Sequence, residues 1–308
     1  MNILVTGCAG FIGGHTAQQL SLLGHEVHGY DLLTYASRSE KIDYIQTFEI
    51  NDICNNDALV KCIEKNKIEL IINFAAETHV DNSIKSAVPF INSNILGVTS
   101  ILDAVKLTST NFIHISTDEV YGPAHDGIVF NENSRLNPMN PYAASKAAAD
   151  LMIQAYKNTH GISARIIRPC NNFGPRQHSE KFIPTILRSI IANCKIPIYG
   201  NGLQTREWMF VKDTARIISE IVNNRIEFDI LNITTSNEMT NIDITKKILE
   251  RLDRDFNSSV SFVNDRPGHD TRYSISSEKM NNLINIGFTD FNLALEETIN
   301  SFLGKEND

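Results

Sequence analysis

A tyrosine and a lysine four residues apart are the first residues in this sequence whose spacing suggests chemistry. Tyr142 and Lys146 lie in the run Tyr-Ala-Ala-Ser-Lys, directly after Pro141, a residue suited to the first turn of a helix. Side chains at positions i and i+4 share one helix face. An ammonium beside a phenol favours the phenolate and lowers a pKa that is ordinarily about 10. The pair therefore predicts a base that takes the proton of a hydroxyl group near neutral pH.

A second group of reactive side chains is the triplet Thr117-Asp118-Glu119, which follows the apolar run 111–116. Two adjacent carboxyl groups can divide acid and base work, one protonating a leaving hydroxyl and the other removing a carbon-bound proton. The threonine hydroxyl can orient the reacting oxygen. An isolated Asp-Glu pair is more often a solvated turn, but its place at the end of a predicted strand favours a catalytic role.

A glycine-rich turn follows the first apolar run. Gly7, Gly10 and Gly13 have the spacing G-x-x-G-x-x-G, between a predicted strand and a predicted helix. Glycines permit the tight turn and the close approach of backbone to a pyrophosphate, and the free N–H groups at the helix start face the phosphates. The turn predicts a dinucleotide site.

An acidic residue after the second predicted strand refines that interpretation. Asp31 lies eighteen residues beyond Gly13, where a carboxylate can accept hydrogen bonds from ribose hydroxyls. The same carboxylate would repel a 2′-phosphate, and the next two residues are leucines rather than arginines. We therefore expect NAD rather than NADP as the cofactor.

These residues need strand ends and helix starts to position them, and the first half of the chain offers both. Predicted strands cover residues 3–6, 26–30, 44–50, 70–73, 112–115 and 164–167, and predicted helices cover 11–23, 57–66, 86–109 and 141–159. The alternation predicts an α/β fold with a doubly wound parallel sheet of the Rossmann type and a ligand outside the carboxyl ends of its strands.

The second half of the chain mixes shorter elements. Predicted strands cover residues 197–199, 206–211, 229–233 and 259–263, and predicted helices cover 181–193, 212–223, 241–253 and 291–302. We expect a cofactor-binding domain over residues 1–170, to which 212–234 returns, and a smaller α/β substrate lobe over 171–308.

Charge and cysteine content narrow the class of protein. The chain of 308 residues has a formal net charge of -8, which argues against coating nucleic acid or an anionic membrane. Residues 160–216 nevertheless hold nine basic and three acidic side chains, which points to anionic ligands. The five cysteines are scattered without metal-binding spacing, and no stretch comes near the roughly 20 apolar residues of a membrane span. We expect a soluble, cytoplasmic protein with free thiols and no metal. Cys8, inside the glycine turn, is either a reactive thiol or a buried bystander.

Several segments together resemble the extended short-chain dehydrogenase/reductases, most closely the nucleotide-sugar 4,6-dehydratases. They are residues 5–13, 31–36, 74–81, 116–122, 142–146, 169–176, 197–200 and 265–270. The Thr-Asp-Glu triplet discriminates most, because related epimerases, reductases and decarboxylases usually lack the Asp-Glu pair. The resemblance implies an NAD-dependent hydro-lyase that converts dTDP-glucose or UDP-glucose to the 4-keto-6-deoxy sugar.

The resemblance also implies roles for the five reactive residues. Tyr142 would take the C4 hydroxyl proton while hydride leaves C4 for NAD, and Lys146 would hold the nicotinamide ribose. Glu119 would remove the C5 proton, Asp118 would protonate the departing C6 hydroxyl, and Thr117 would hydrogen-bond the C4 oxygen. Hydride would then return to C6.

Further binding residues follow from the same resemblance. The cofactor would be bound by Gly7, Gly10, Phe11, Ile12, Gly13, Asp31, Leu32, Leu33, Thr34, Asp52, Ile53, Ala75, Ala76, Ser93, Tyr142, Lys146 and Asn172. The nucleotide sugar would be bound by Thr78, Thr117, Asn171, Lys181, Phe182, Pro197, Ile198, Tyr199, Arg206, Asn241, Asp265, Arg266, Pro267, Gly268 and His269. A homodimer through helices near 86–109 and 141–159 is also implied. A sugar epimerase of the same fold and a non-catalytic NAD-binding sensor are the alternatives, and the nucleotide base is left open.

Overall fold

A seven-stranded sheet forms the larger part of the computed structural model, which describes residues 1–37, 43–125 and 127–304. In spatial order its strands are β10 (Ile230–Ile233), β6 (Ala164–Pro169), β5 (Asn111–Ile115), β4 (Leu70–Asn73), β1 (Asn2–Thr6), β2 (Glu26–Asp31) and β3 (Thr47–Ile50). Every neighbouring pair is parallel. The predicted Rossmann-type α/β fold is therefore confirmed.

The strand order places a crevice beside β1. The chain runs outward from β1 to β2 and β3 on one side and from β4 onward on the other, so the order reverses between β1 and β4. The connections that leave these two strands diverge, and ligands of open α/β sheets bind at that point, outside the carboxyl ends. The glycine turn follows β1 directly, which brings it to this crevice.

Helices cover both faces of the sheet because its strands are buried on both sides. In the larger part they are α1 (Phe11–Leu22), α2 (Asn56–Lys65), α3 (Val80–Lys85), α4 (Val88–Phe90), α5 (Val98–Thr108), α6 (Pro141–His160) and α8 (Val211–Asn223). Helix α1 packs on α8, and α5 packs on both α2 and α6. The predicted helices at 11–23, 57–66, 141–159 and 212–223 are confirmed with small shifts at their ends.

The predicted helix at 86–109 has an irregular start. Helices α4 and α5 are joined by a π-helical turn over Ile91–Gly97, so that Val88–Thr108 is one continuous helix. By length and composition alone this helix could cross a membrane, so the expectation that no stretch comes near that length is wrong. Its buried side chains, including Val98 and Ile101, pack into the core beside the sheet.

A smaller lobe sits at the carboxyl edge of the sheet. Its strands are β7 (Asn171–Phe173), β8 (Ile196–Tyr199), β9 (Thr205–Phe210), β11 (Glu238–Thr240) and β12 (Val260–Val263). Its helices are α7 (Phe182–Ile191), α9 (Asn241–Arg251), α10 (Phe256–Ser259) and α12 (Phe291–Leu303). Helix α11 (Glu278–Leu283) instead packs on β10 of the large sheet. A separate apolar core around Phe173, Trp208 and Leu295 holds it together. The short elements β7, β11, α3, α10 and α11 were not predicted, because three to six residues are too few to show a period.

Candidate active site

The glycine turn after β1 is packed so closely that side chains have no room. Gly7 has a φ of +69°, and a Cβ there would lie 2.5 Å from the backbone nitrogen of Ala75. A Cβ on Gly13 would lie 2.4 Å from the carbonyl oxygen of Gly7. Gly10 is the N-cap residue of α1 and, being glycine, leaves the helix start uncovered. The turn therefore presents backbone rather than side chains to a ligand, as pyrophosphate binding requires.

Asp31 ends β2 beside this turn, but its carboxylate is already engaged. It accepts hydrogen bonds from the N–H groups of Ala9 and Leu33, each at 2.9 Å, and from the Ser37 hydroxyl at 3.1 Å. The carboxylate thus ties the glycine turn to the loop after β2. Cys8 within the turn is buried, and burial raises the pKa of its thiol to about 12. A thiol in that state is an inert neighbour rather than a nucleophile.

The acidic triplet follows β5 and forms a short 3-10 helix, Asp118–Tyr121, capped by Thr117. The Thr117 hydroxyl accepts from the Glu119 N–H at 3.3 Å and donates to Asp118 Oδ1 at 3.2 Å. Asp118 is 3% exposed. Burial, reinforced by the neighbouring Glu119 carboxylate, raises the pKa of Asp118 well above its usual range. A carboxyl group with a raised pKa is suited to donate a proton.

Asn140 connects the acidic triplet to helix α6. Its side-chain oxygen caps the helix by accepting from the Ala143 N–H at 2.8 Å. Its side-chain nitrogen donates to Glu119 Oε2 at 3.3 Å. The residue that starts the Tyr142 helix therefore also orients Glu119.

Tyr142 and Lys146 lie buried on one face of α6, as predicted, but the electrostatics differ from the expectation. Burial, followed by the Glu119 carboxylate, raises the pKa of Tyr142, while a hydrogen bond with Thr117 acts in the opposite direction. Burial lowers the pKa of Lys146 to about 8. The expected lowering of the pKa of the phenol is therefore wrong for the protein alone, because burial has the largest effect and acidic residues surround the phenol.

Lys146 is held by neutral groups. Its ammonium donates to the carbonyl oxygen of Ile115 at 2.7 Å and lies 3.1 Å from Nε2 of His114. The Nδ1 atom of that histidine contacts the side-chain nitrogen of Asn73 at 3.0 Å, and Asn73 in turn accepts from Thr6 at 2.5 Å. This buried chain of polar contacts crosses strands β1, β4 and β5 and fixes the lysine from behind.

The π-helical turn Ile91–Gly97 adds a buried amide to the site. Asn94 accepts from the Glu77 N–H at 2.9 Å and donates to the Ser145 hydroxyl at 2.8 Å. Ser145 lies between Tyr142 and Lys146 in sequence. Wide turns of this kind often occur at functional sites, because the extra residue turns a side chain inward.

Two cavities meet at this edge of the sheet. The first, about 250 Å³, is the cofactor cleft, and it is lined by the glycine turn, the acidic triplet and the Tyr142–Lys146 face. The second, about 370 Å³, is the substrate cleft, which opens toward the smaller lobe. Both are lined by Thr78, Glu119, Asn171 and Lys181. Glu119 therefore faces the ligands of both clefts.

The predicted cofactor residues divide into two groups. Those that line the cofactor cleft are Gly7, Gly10, Phe11, Ile12, Gly13, Ala76, Tyr142, Lys146 and Asn172. Those that lie outside the cavity are Asp31, Leu32, Leu33, Thr34, Asp52, Ile53, Ala75 and Ser93. Members of the second group lie at or after the ends of β2, β3 and β4 or in the π-helical turn Ile91–Gly97, so the structure brings only the first group together around one cavity.

The predicted substrate residues divide similarly. Those that line the substrate cleft are Thr78, Asn171, Lys181, Phe182, Pro197, Tyr199, Arg206, Asn241, Arg266 and His269. Ile198 is fully buried in the core of the smaller lobe, and Thr117 lines the cofactor cleft. Asp265, Pro267 and Gly268 lie outside the substrate cleft, in the loop that carries Arg266 and His269.

Positive side chains in the substrate cleft are held by other groups of the protein. Arg266 donates to the Asp81 carboxylate at 2.8 Å. Burial opposes ionisation of Asp81, but this guanidinium outweighs it and holds the pKa of the carboxyl group below its usual value. Lys181 donates to the carbonyl oxygen of Thr78 at 2.8 Å, and Arg206 to that of Asp270 at 2.9 Å. The cations are thus preorganised toward the cleft.

Unsatisfied polar atoms mark where ligands would bind. Among the residues that the structure describes, several buried side-chain atoms at the two clefts have no hydrogen-bond partner. They include Asp118 Oδ2, Asn171 Oδ1, Gln177 Oε1, Trp208 Nε1 and Arg266 Nε. Because a buried polar atom without a partner is costly, groups of this kind point to a polar ligand.

Sequence reasoning missed several lining residues. They are Ala36, Phe74, Ile115, Ser116, Pro169, Cys170, Gln177 and His178 in the cofactor cleft and His79, Val80, Asp81, Glu180, Thr185, Arg188, Trp208 and Tyr273 in the substrate cleft. Asp81 lies inside a segment that carried the family resemblance, and Tyr273 lies just after another. Their position in or next to those segments was the sequence signal that could have identified both residues as part of the site.

The fold and the site define the class of this protein. It belongs to the NAD dependent epimerase/dehydratase family, whose profile matches residues 3–234.

The chain is similar in sequence and structure to several characterised proteins of this family. The chain is 38% identical to the low-salt glycan biosynthesis protein Agl12 of Haloferax volcanii, over 99% of this chain and 100% of that protein. It is 37% identical to dTDP-glucose 4,6-dehydratase of Neisseria gonorrhoeae, over 91% of this chain and 88% of that protein. The crystal structure of DesIV, a dTDP-glucose 4,6-dehydratase from Streptomyces venezuelae with NAD bound, has a TM-score of 0.93 at 36% identity and covers 99% and 97% of the two chains.

Proposed function

We propose that this protein is an NAD-dependent nucleotide-sugar 4,6-dehydratase that converts dTDP-glucose to the 4-keto-6-deoxy sugar and water. The observation that carries the proposal is the pair Asp118 and Glu119. Asp118 is buried, which raises the pKa of its carboxyl group well above the usual range, and Glu119 lines both clefts. The names of relatives at 36–37% identity support dTDP as the nucleotide.

The geometry of the cofactor cleft fits NAD. Gly7 and Gly13 have no space for a Cβ, and the uncapped start of α1 faces the cavity. The backbone of Gly10, Phe11 and Ile12 would hold the pyrophosphate. Bound NAD would accept hydride from C4 and later supply it to C6.

Oxidation at C4 depends on Tyr142. Its phenolate would take the C4 hydroxyl proton at Oη, and Thr117 would hold the same oxygen. Because burial and Glu119 raise the pKa of this phenol, its ionisation needs nearby positive charge. Lys146, fixed by Ile115 and His114 on the same helix face, is placed to supply it.

Elimination depends on the acidic pair. Glu119 would remove the C5 proton, which the new ketone acidifies, while Asp118 would protonate the C6 hydroxyl as it leaves. When hydride returns to C6, Glu119 would give a proton back to C5. Over one cycle Tyr142 therefore gains a proton and Asp118 loses one, so a proton must pass between them before the next cycle. The Thr117 hydroxyl, which contacts both, lies on that path.

The test is a panel of dTDP-, UDP-, GDP- and CDP-hexoses incubated with NAD and read by mass spectrometry. We expect the loss of one water, greatest with dTDP-glucose. In heavy water, solvent deuterium should enter at C5. No loss of water from any of the four would overturn the proposal.

The alternatives give different outcomes in the same panel. A sugar epimerase would yield an isomer of unchanged mass, and a non-catalytic NAD-binding sensor would yield no product. A UDP-glucose 4-epimerase from Thermus thermophilus shares the fold, with a TM-score of 0.89 at 23% identity, so the fold does not separate these activities. The sensor is disfavoured because Tyr142 and Lys146 are both present.

We further propose a cofactor-binding domain over 1–170 with 212–234 returning to it, and a nucleotide-sugar lobe over 171–308. We also propose a homodimer through the helices at 86–109 and 141–159, which expose Ile91, Leu96, Leu107 and Leu151. Light scattering should show a dimer, and a monomer would contradict it. The five free cysteines support a cytoplasmic location.

A further inference from the structure

Tyr273 is a buried residue of the substrate cleft to which the proposed reaction assigns no role. It is 4% exposed and follows the loop that carries Arg266 and His269. Its hydroxyl lies 3.3 Å from Glu119 Oε2 and forms a short hydrogen bond with the carboxyl group of Asp270. One phenol therefore stands between two carboxyl groups, one of them the residue that would remove the C5 proton.

Counting hydrogens decides how the three groups are arranged. A phenol has a single hydrogen, so both contacts are hydrogen bonds only if one carboxyl group also carries a proton. Burial raises the pKa of Asp270, and burial together with Glu119 raises that of Tyr273, which keeps the phenol intact. We assign this additional proton to Asp270, because burial raises the pKa of its carboxyl group. Asp270 would then donate to Tyr273, and Tyr273 would donate to Glu119.

Arg206 fixes this arrangement from one side. Its guanidinium carbon lies 4.2 Å from the centroid of the Tyr273 ring, and it donates to the backbone carbonyl of Asp270. Asn140 supplies the second donor to Glu119 Oε2, from the start of α6. The Glu119 carboxylate is therefore held from both sides of the junction between the two clefts.

We propose that Tyr273 is a positioning residue for Glu119, with Asp270 as the partner that keeps the phenol hydrogen directed at the carboxylate. The inference rests on the proposed function, in which Glu119 removes the C5 proton. It deepens that function by making elimination, rather than oxidation, depend on a residue of the smaller lobe. Tyr273 itself transfers no proton to the sugar.

The test is Tyr273→Phe, which removes only the hydroxyl. In a single turnover with dTDP-glucose, we expect oxidation at C4 to keep its wild-type rate within about twofold, and elimination to slow by about 10- to 100-fold, the range for a lost hydrogen bond to a charged group. Reduced cofactor should accumulate as a result. Binding of dTDP, measured by calorimetry, should stay unchanged. Tyr156→Phe is the matched control, because this tyrosine of α6 lines neither cleft and donates its hydroxyl hydrogen to Asp103 of α5.

Two further variants separate positioning from a general loss of structure. Asp270→Asn keeps an N–H donor toward Tyr273, so elimination should remain near the wild-type rate, while Asp270→Ala should slow it. In a Tyr273→Phe, Glu119→Gln double variant, elimination should be no slower than in Glu119→Gln alone, because the hydroxyl acts only through the carboxylate.

The outcomes that overturn the proposal are distinct from those that overturn the function. Wild-type elimination in Tyr273→Phe, or effects of the two substitutions that simply add, would refute the role of Tyr273 alone. Wild-type protein that releases no water from any nucleotide hexose would refute the proposed function, and this inference with it.

Discussion

The two clefts receive anionic ligands by different means. The cofactor cleft offers backbone, at a turn where Gly7 and Gly13 exclude side chains, and its buried cation Lys146 is held by the neutral groups Ile115 and His114. The substrate cleft offers side chains, with Arg266 on Asp81 and Arg206 on a backbone carbonyl. The overall charge of -8 describes neither cleft.

The difference teaches how each kind of recognition depends on sequence. A backbone site needs small residues at fixed local spacing and an element that starts in the right place. A side-chain site needs partners that keep each cation extended, and those partners come from distant segments. Substitutions in the cofactor cleft should weaken ligand binding through steric clashes, and substitutions in the substrate cleft should weaken it through loss of charge.

The largest effect is expected at Glu119 and Asp118, where the clefts meet. Asp118→Asn and Glu119→Gln should each lower the rate of product formation by about 10³-fold, because each removes a general acid or base. Oxidation at C4 should be affected far less, since neither group acts in it. Single-turnover absorbance of the reduced cofactor measures the first step, and Glu250→Gln on the exposed face of α9 is the control. Loss of oxidation in both variants would contradict this division of roles.

The buried lysine of the cofactor cleft should show in stability against pH. The folded-state pKa of Lys146 is about 8 and its ordinary value 10.5, so between these values the unfolded chain binds the extra proton. Stability of the wild type should therefore rise with pH across this window relative to Lys146→Met, by roughly 3 kcal/mol in total. Urea unfolding of both proteins at a series of pH values tests it. A stability difference that stays constant with pH would show that burial does not lower the pKa of Lys146.

Steric recognition in the cofactor cleft is tested by Gly13→Ala. The added methyl would lie 2.4 Å from a backbone oxygen that has no room to move, and overpacking of this kind costs about 1–3 kcal/mol. We expect NAD to bind about 10- to 100-fold more weakly by calorimetry. Gly287→Ala is the control, because a Cβ there meets nothing within 4 Å. Unchanged affinity in Gly13→Ala would show that the turn does not form the cofactor site.

Charge recognition in the substrate cleft is tested by Arg266→Ala. We expect dTDP to bind about 10-fold more weakly, with less dependence on salt, while NAD affinity stays the same. Arg266→Lys should restore only part of the lost dTDP affinity. Unlike the planar guanidinium, an ammonium does not present the paired donors that can bind Asp81 and a phosphate together. An equal loss of NAD affinity would remove the distinction between the two clefts.

Local spacing explains what could be predicted from the sequence. The strands and helices of the sheet, the glycine turn and the Tyr142–Lys146 face depend on residues a few positions apart, and the structure places them as expected. Tyr273 and Asp81 were missed, because they reach their partners across 154 and 185 residues. The pKa of Tyr142 was predicted in the wrong direction, since the sequence pattern shows the nearby lysine but not the extent of burial.

Because of the wide turn Ile91–Gly97, the contacts of Asn94 at the site depend on the number of residues in this helix. A π-turn holds one residue more than an α-turn, so deleting a single residue there would give an ordinary helix whose two ends keep their places in the fold. Asn94 would then leave Ser145 and the Glu77 backbone, although no residue that lines either cleft had changed. In comparisons between related chains, a one-residue gap at this turn is therefore a stronger sign of altered function than many substitutions.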